Sequence, residues 1–290
     1  MSLVASRMRD PLLPLLPVAW RRHVLFAFSQ HRWGDFEHPR TFSEKVNWRI
    51  IHDRRDILAD TCDKLRVKEL ATRAGVSVPE TVWYGTDLAD LVRVRLPPHW
   101  VLKANHSSGR IYFGSGDVTD PSALITGTRA WLRPSLPARF GERGYWHARP
   151  LFIVEEDLSR DGQAPMDYKF FVFDNQVRLI AVESDRFSAH VRRFYRPPWE
   201  PLEAQLAHIG WLTTLRPLAR EMPCPATISA MLEAAVTLGR GFDFMRVDLY
   251  SVDGRVYAGE LTPYPGGGLP RFVPPSLDLE LGSYWRLPAL

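Results

Sequence analysis

The sequence predicts an α+β protein, and three observations carry that prediction. Segments with helical periodicity and short β-rich segments are interspersed along the 290 residues. Strand pairs are joined by tight turns, as at Asp174-Asn175 in "DYKFFVFDNQVRLIAVESD", rather than by the helical crossovers of strict βαβ repeats. No internal repeat or low-complexity segment is present. The length predicts about two domains or subdomains. At 45% hydrophobic and 24% charged residues the chain can bury a sizeable core.

The elements follow in order. "TFSEKVNWRIIHDRRDILAD" opens with Thr41 and Glu44 at capping-box spacing and continues as a helix. "TCDKLRVKELATRAG" is a second helix, and Gly75 stops it. "VPETVWYG" reads as a strand and "TDLADLVRV" as a short helix. "HWVLKANHSSGRIYFGSGD" is strand, Gly/Ser loop, strand; "SALITGTRAWLR" is helical. "LFIVEEDL" is a buried strand ending in acids, and "PATISAMLEAAVTLGRG" is the clearest helix of the second half. The expected organisation is a helical N-terminal arm over 1–60, one lobe over 61–150 and a hairpin-rich lobe over 151–290.

The 37 basic and 33 acidic residues leave a net charge of +4. That mild excess suits an anionic substrate and is too weak to argue for nucleic acid. Cys62 and Cys224 lie in no CxxC or Cys/His cluster, so neither zinc nor a disulfide framework is expected, and a reducing, cytoplasmic setting is the simplest reading. Pro11, Pro14 and Pro17 break the apolar stretch after Arg7 and Arg9, against a signal peptide. No run reaches the ~20 apolar residues of a membrane helix. "PLLPLLPVAWRRHVLFAF" mixes apolar, aromatic and basic residues. Packing on the domain is the favoured reading for it; resting on the inner membrane face is the weaker one.

The segment "RVDLYSVDGRVYAGELTPYPGGG" reads as a final hairpin. A two-residue Asp253-Gly254 loop would put Glu260 on the face of Val247 and Leu249. A type I turn with Gly254 as a G1 bulge instead pairs 248 with 258 and 246 with 260. That register sorts Met245, Val247, Leu249, Tyr257 and Leu261 from Arg246, Asp248, Tyr250, Ala258, Glu260 and Thr262, and is preferred. Asp248 and Glu260, as diagonal neighbours, could then share one ion, and such oxygen ligands suit magnesium. An Arg246–Glu260 ion pair beside a solvated Asp248 reads the same residues equally well. The glycines of "YPGGG" could form an anion nest or be a flexible loop. In "VLKANHSSGR" Lys103 faces away from Leu102, ahead of a loop that could cover phosphates or be an ordinary tight turn. No GxxxxGK[ST] or GxGxxG is present.

Together these segments resemble an ATP-grasp enzyme. "DKLRVKELATRAGVSVPETV", "WVLKANHSSGR", "LFIVEEDL" and "RVDLY…GELTPYPGG" are similar to that superfamily's first segment, phosphate-covering loop, adenine hinge and metal segment. "TFSEKVNWRI", "LKANHSSG", "DYKFFVF", "RVDLY" and "GELTPYPG", in that order, resemble its TupA-like branch over residues 40–285. The resemblance implies two lobes clamping ATP. Lys64 and Lys103 would bind its phosphates, and Ser107, Ser108 and Gly109 would cover them. Glu155 would accept from the adenine amino group beside the Asp157 and Leu158 backbone, and Asp167 would reach the ribose. Asp248, Glu260 and, more weakly, Thr262 would hold Mg²⁺; Thr262 stands where the superfamily has Asn. Arg246 and the Gly266 and Gly267 amides would meet a tetrahedral intermediate. The implied activity is ligation of an amino acid or other amine to a small-molecule or saccharide carboxylate through an acylphosphate, in polysaccharide or natural-product biosynthesis. Arg186, Arg192 and Arg193 are candidates for an anionic substrate, and a solvated basic loop reads them equally well. A sugar-processing transferase and a non-catalytic nucleotide-binding module are the rival readings.

Overall fold

The computed structural model describes residues 15–134, 138, 140–160, 162–184, 191–207 and 221–289. Its elements, in chain order, are helices α1 (Val18–Gln30), α2 (Phe42–His52) and α3 (Lys64–Arg73), strands β1 (Thr81–Gly85), β2 (His99–Ala104), β3 (Ile111–Ser115) and β4 (Phe152–Glu156), and strands β5 (Asp167–Phe173), β6 (Gln176–Ser184), β7 (Val191–Arg196), β8 (Glu200–Leu202) and β9 (Gln205–Ala207). Helix α4 (Ile228–Gly239), strands β10 (Phe244–Val252), β11 (Arg255–Thr262) and β12 (Arg271–Val273), and helix α5 (Pro275–Tyr284) complete it. One sheet runs β1-β4-β2-β3, and a second runs β11-β10-β5-β6-β7-β8. Every pairing between neighbouring strands in both is antiparallel, as the tight turns predict. Asp174 and Asn175 both take positive φ, 45° and 61°, in the two-residue β5–β6 turn.

The larger sheet is covered on both faces, which explains why β5 is buried throughout and reads as a nearly continuous apolar run. On one face Phe171, Phe173 and Phe244 pack against Phe42, Val46 and Ile50 of α2 and Leu277, Leu281 and Trp285. On the other, Phe170, Val172, Met245 and Val247 pack against Val67 and Ala71 of α3 and Met231 and Ala235 of α4. The smaller sheet has its own core, built on Trp100, Leu102, Phe152 and Val154.

Two placements differ from the sequence reading. Helix α2, within the helical arm expected over 1–60, packs into the core of the larger lobe. Its wholly buried Arg49 donates to Phe244 O at 2.9 Å, Pro263 O at 3.2 Å and Asp243 Oδ2 at 2.6 Å. Strand β4 sits between β1 and β2, with Glu155 opposite Val101, so the smaller sheet continues past residue 150. The predicted 41–60 helix also stops at His52. Asp53 turns extended there and its carboxylate accepts from Arg55 Nε at 2.9 Å; a single turn follows at Ile57–Asp60. "TDLADLVRV" forms a 3₁₀ helix, and "SALITGTRAWLR" is helical only over Ser122–Thr128.

In α1, Arg21 and Arg22 are buried while Trp20 is exposed, so the arginines that would meet an anionic surface turn inward. Residues 1–14 and Arg186 lie outside the described residues. Among the described residues no helix is long and apolar enough to cross a membrane.

Candidate active site

The final hairpin reaches the expected polar face by a different route. Its turn is the two-residue Asp253-Gly254 loop, with φ of 52° and 75° and Val252 opposite Arg255. The pairing then shifts between Asp248 and Leu249: Leu249 faces Ala258, whereas Asp248 faces Glu260. The extra residue is Gly259, where a methyl group would come within 2.7 Å of the Tyr250 ring. The G1 register predicted from the sequence is therefore wrong, and so are two of its face assignments. Ala258 lies in the core with Leu249, and Tyr257 is opposite Tyr250. Asp248 and Glu260 are direct neighbours rather than diagonal ones, and Arg246 faces Thr262.

Arg246 chelates Asp248, Nε to Oδ1 and Nη2 to Oδ2, both at 2.7 Å, and Nη2 also donates to Thr262 Oγ1 at 3.0 Å. An Arg246–Glu260 ion pair is not formed. Lys169 of β5 adds a bond of 2.9 Å to Asp248 Oδ2 and also pairs with Asp167. Burial opposes the Asp248 charge, but Arg246 and Lys169 outweigh it and hold its pKa below the usual value. Lys169 went unnoticed in the sequence, although it and Asp167 are the polar alternation in an otherwise apolar strand.

Helix α3 brings up the cations. Asp63 caps it through the Arg66 N–H at 3.0 Å. Val67 and Ala71 fix one face in the core, and Lys64 and Lys68, four residues apart, share another. Lys64 Nζ donates to Ser107 O at 2.6 Å; Lys68 Nζ donates to Pro79 O at 2.6 Å and pairs with Glu155 Oε2 at 2.8 Å. Burial lowers the pKa of both amines. Lys103 reaches the other Glu155 oxygen. Each Glu155 oxygen thus already accepts from one lysine. Despite its burial, Lys103 and Lys68 hold its pKa at about 2. Lys68 is a second residue that the sequence reading passed over; its spacing from Lys64 was the signal.

Asn105 anchors the Gly/Ser loop, accepting from Leu65 N at 3.0 Å and donating to Arg149 O at 2.9 Å. Ser107 is buried, while Ser108 and Gly109 are exposed. Two clefts meet at Lys103, Ile111 and Glu155. One runs between the sheets and is lined by Val101, Ile111, Phe113, Glu155, Leu158 and Asp167. Asp157 lines it too, although its N–H already bonds His99 O at 3.4 Å. The other holds Lys64, Lys68, Lys103, Ser107, Ser108 and Glu260. A larger cavity lies on the same polar face of the hairpin, with Arg246, Glu260, Thr262, Arg192 and the 266–268 glycines in its wall. Ser108 and Glu260 line both the lysine cleft and this cavity. Arg192 pairs with Glu183 at the cavity wall, whereas Arg193, its neighbour on the strand, turns away to Glu203 and Glu221. Gly266, Gly267 and Gly268 all take left-handed φ, from 56° to 63°. The Gly267 N–H is already given to Tyr264 O at 2.8 Å, so Gly266, whose N–H meets no acceptor among the described residues, is the better placed of the expected amides.

A family model described as TupA-like ATP-grasp matches residues 44–286, a span containing every candidate site residue named from the sequence. The chain belongs to the TupA-like ATP-grasp family. Its fold is accordingly the α+β ATP-grasp fold. No curated protein sequence matches this TupA-like chain. Among solved structures it is similar to a D-alanine–D-alanine ligase from Bacillus anthracis complexed with ATP, at 15% identity and a TM-score of 0.39, covering 71% of this chain and 54% of that one. A D-alanine–D-alanine ligase from Helicobacter pylori matches at 15% identity and a TM-score of 0.43, over 79% and 61%. The ATP-grasp ligase PsnB with a minimal precursor matches at 15% identity and a TM-score of 0.36, over 71% and 54%. The chain thus spans little more than half the length of these structures.

The ATP-grasp family implies a divalent cation. Among the described residues no three His, Cys, Asp or Glu side chains form a ready metal cluster. The oxygen donors nevertheless fit magnesium, which is often held by one or two carboxylates with water and phosphate oxygens completing its shell. Glu260 opens onto both spaces, and Asp248 Oδ1, which accepts one hydrogen bond from Arg246, has acceptor capacity left. The Thr262 hydroxyl already accepts from Arg246 and is the weakest of the three.

Proposed function

We propose that this TupA-like ATP-grasp protein is an ATP-dependent carboxylate–amine ligase. The observation that carries the reading is Glu260, which lines both the lysine-bearing cleft and the large cavity next to it. A nucleotide phosphate on one side and an acid substrate on the other can meet only where two such spaces share a wall. The apolar cleft at Val101, Ile111 and Leu158 takes the adenine, and Lys64 and Lys103 take the phosphates. The acid in the cavity attacks the terminal phosphorus of ATP, and ADP leaves. The amine then attacks the acylphosphate carbon and phosphate departs. Two anions must approach each other in the first step, and the lysines reduce that repulsion. Mg²⁺ held by Glu260 and Asp248 would supply further charge neutralisation at the phosphates. Arg246, which Asp248 and Thr262 orient, faces the oxyanion of the second step, with the Gly266 N–H beside it. The acid is proposed to be a carboxylate of a polysaccharide or natural-product precursor.

The test is a panel of acids and amines incubated with protein, ATP and Mg²⁺ and scored by ADP formation. ADP release that needs both an acid and an amine supports ligation. Release with neither, or with a sugar acceptor alone, would reject it in favour of another transferase. Nucleotide binding with no turnover across the panel would favour a binding module.

A further inference from the structure

The sheet face that lines the large cavity divides into a charged end and an apolar end, and strand register sets the division. Lys169, Ala181 and Phe194 stand side by side on β5, β6 and β7, and residues paired in this way share a face. Two residues to one side, Glu183 and Arg192 form an ion pair. Two residues to the other, Phe171 stands beside Arg246 of β10. All of these line the cavity. Phe42 of α2 and Phe272 of β12 extend the apolar end into an arc of phenyl groups. Their ring centroids are 5.8 Å apart for Phe42 and Phe171, 6.1 Å for Phe42 and Phe272, and 6.2 Å for Phe194 and Phe272. Ala181 gives this floor only a methyl group, where a larger side chain would fill the space.

Such a wall is a poor one for a sugar. Among the described residues no Asn, Gln, Asp, His or Trp side chain lines the cavity. The Ser43 hydroxyl is committed to Asp278 at 2.9 Å and that of Thr262 to Arg246 at 3.0 Å. A saccharide would press hydroxyls against phenyl rings, and each hydroxyl buried without a partner weakens binding. A planar apolar ring gains there instead, by burial and by edge-to-face contact. Arg246 marks the boundary between the two ends. Its Nε and Nη2 bond Asp248 and Thr262, whereas Nη1 meets no acceptor among the described residues. A carboxylate carried by a ring in the apolar end therefore reaches an open guanidinium N–H. Glu260, on the wall shared with the lysine cleft, lies on the same hairpin.

We propose that the acid substrate is an aromatic carboxylic acid, its ring over Ala181 among Phe42, Phe171, Phe194 and Phe272 and its carboxylate on Arg246 Nη1. The proposal rests on the ligase reading and narrows the acid from a saccharide or natural-product precursor to an aryl acid. One carboxylate oxygen attacks the terminal phosphorus of ATP, and that O–P bond forms as the bond from phosphorus to the ADP oxygen breaks. The other oxygen stays on Arg246. It is this oxygen that takes up the negative charge when the amine attacks the carbon, so one contact positions the acid and meets the oxyanion.

The test gives the whole chain ATP, Mg²⁺, hydroxylamine and one acid at a time, and measures ADP and hydroxamate. Hydroxylamine nitrogen attacks the acylphosphate carbon and phosphate leaves, so hydroxamate and ADP appear in equal amounts whatever the natural amine is. The acids are benzoate, cinnamate, indole-3-carboxylate, glucuronate, galacturonate and octanoate. At least one of the aromatic acids should give hydroxamate, with a kcat/KM at least about tenfold above both uronates and octanoate. Ala181→Val narrows the floor and should raise the KM for that acid at least about tenfold while leaving the KM for ATP unchanged. A uronate or octanoate used as well as the best aromatic acid overturns the proposal and leaves the ligase reading standing. An unchanged KM for the acid in Ala181→Val overturns the placement of the ring. Should that variant show no rise in Tm with ADP and Mg²⁺, and so not be folded, the acid preference of the wild type decides alone. If ADP raises the Tm of the wild type and no acid yields hydroxamate, the ligase reading falls, and this proposal with it.

Discussion

At the scale of single residues, Asp248 and Glu260 face each other across the hairpin yet differ in what holds them. Asp248 is buried between Arg246 and Lys169, whereas Glu260 opens onto cavities. Asp248→Ala should leave two buried cations short of a partner, a loss on the order of 3–5 kcal/mol. The informative pair is therefore Asp248→Asn and Glu260→Gln. Glu260→Gln should abolish ADP formation while its urea midpoint stays near the wild-type value. Asp248→Asn should lose both activity and stability. Equal activity in Glu260→Gln and wild type would remove the proposed metal and phosphate role. A second prediction concerns pH. The Glu155 pKa is depressed to about 2 by Lys103 and Lys68 against the cost of burial. A carboxylate depressed on folding stabilises the protein above its unfolded pKa and loses that contribution as pH falls through the folded value. The gain above pH ~4.5 is on the order of 3 kcal/mol. Urea midpoints from pH 5 to 2 should fall more steeply for the wild type than for Glu155→Gln, and matching slopes would mean that the ion pairs contribute nothing.

At the scale of elements, the hairpin shows what residue patterning can and cannot decide. The alternation of Val247 and Leu249 with Arg246 and Asp248 demands that Glu260 share the face of Asp248. That demand fixes register only to within two residues, because side-chain faces repeat every two. Gly254 and Gly259 can each absorb the irregularity. Only the three-dimensional packing of Tyr250 over Gly259 and of Ala258 into the core selects the second. Arg22 and Glu142, which also line the large cavity, were illegible for a stronger reason. Helix α1, the 140s segment and the Gly267 turn meet only through the tertiary fold, and nothing local in the sequence announces it. The Gly/Ser loop, by contrast, was readable as a loop but not as an anchored one. Asn105 pins its base to α3 and to Arg149, leaving Ser108 and Gly109 at the tip. Asn105→Ala should leave buried backbone groups unpaired, costing roughly 1–3 kcal/mol, and should raise the KM for ATP more than it lowers kcat. An unchanged KM would separate the loop from the nucleotide.

At the scale of the whole molecule, helix α3 joins the two sheets. Its apolar face belongs to the core of the larger one, while Lys68 crosses to Glu155 of the smaller and Lys64 to the loop beyond β2. Ser77 O, just after this helix, also accepts from Ala258 N at 2.7 Å. The cleft between the sheets is thus closed at one end by charged groups whose cost of burial a bound polyphosphate would offset. Nucleotide should then stabilise the whole chain as one unit. At about 100 times its Kd, ADP with Mg²⁺ adds roughly 2.7 kcal/mol, which for a chain of this size is a rise in Tm of about 4–5 °C. Lys103→Met removes a cation from the cleft wall and frees one oxygen of Glu155, so it should lose most of that rise at the same nucleotide concentration. A single melting transition that moves upward with ADP in the wild type and not in Lys103→Met would place the nucleotide between the sheets. Two transitions, of which only one responds, would mean that the lobes are not coupled through α3. A full shift in Lys103→Met would mean that the nucleotide binds somewhere other than this cleft.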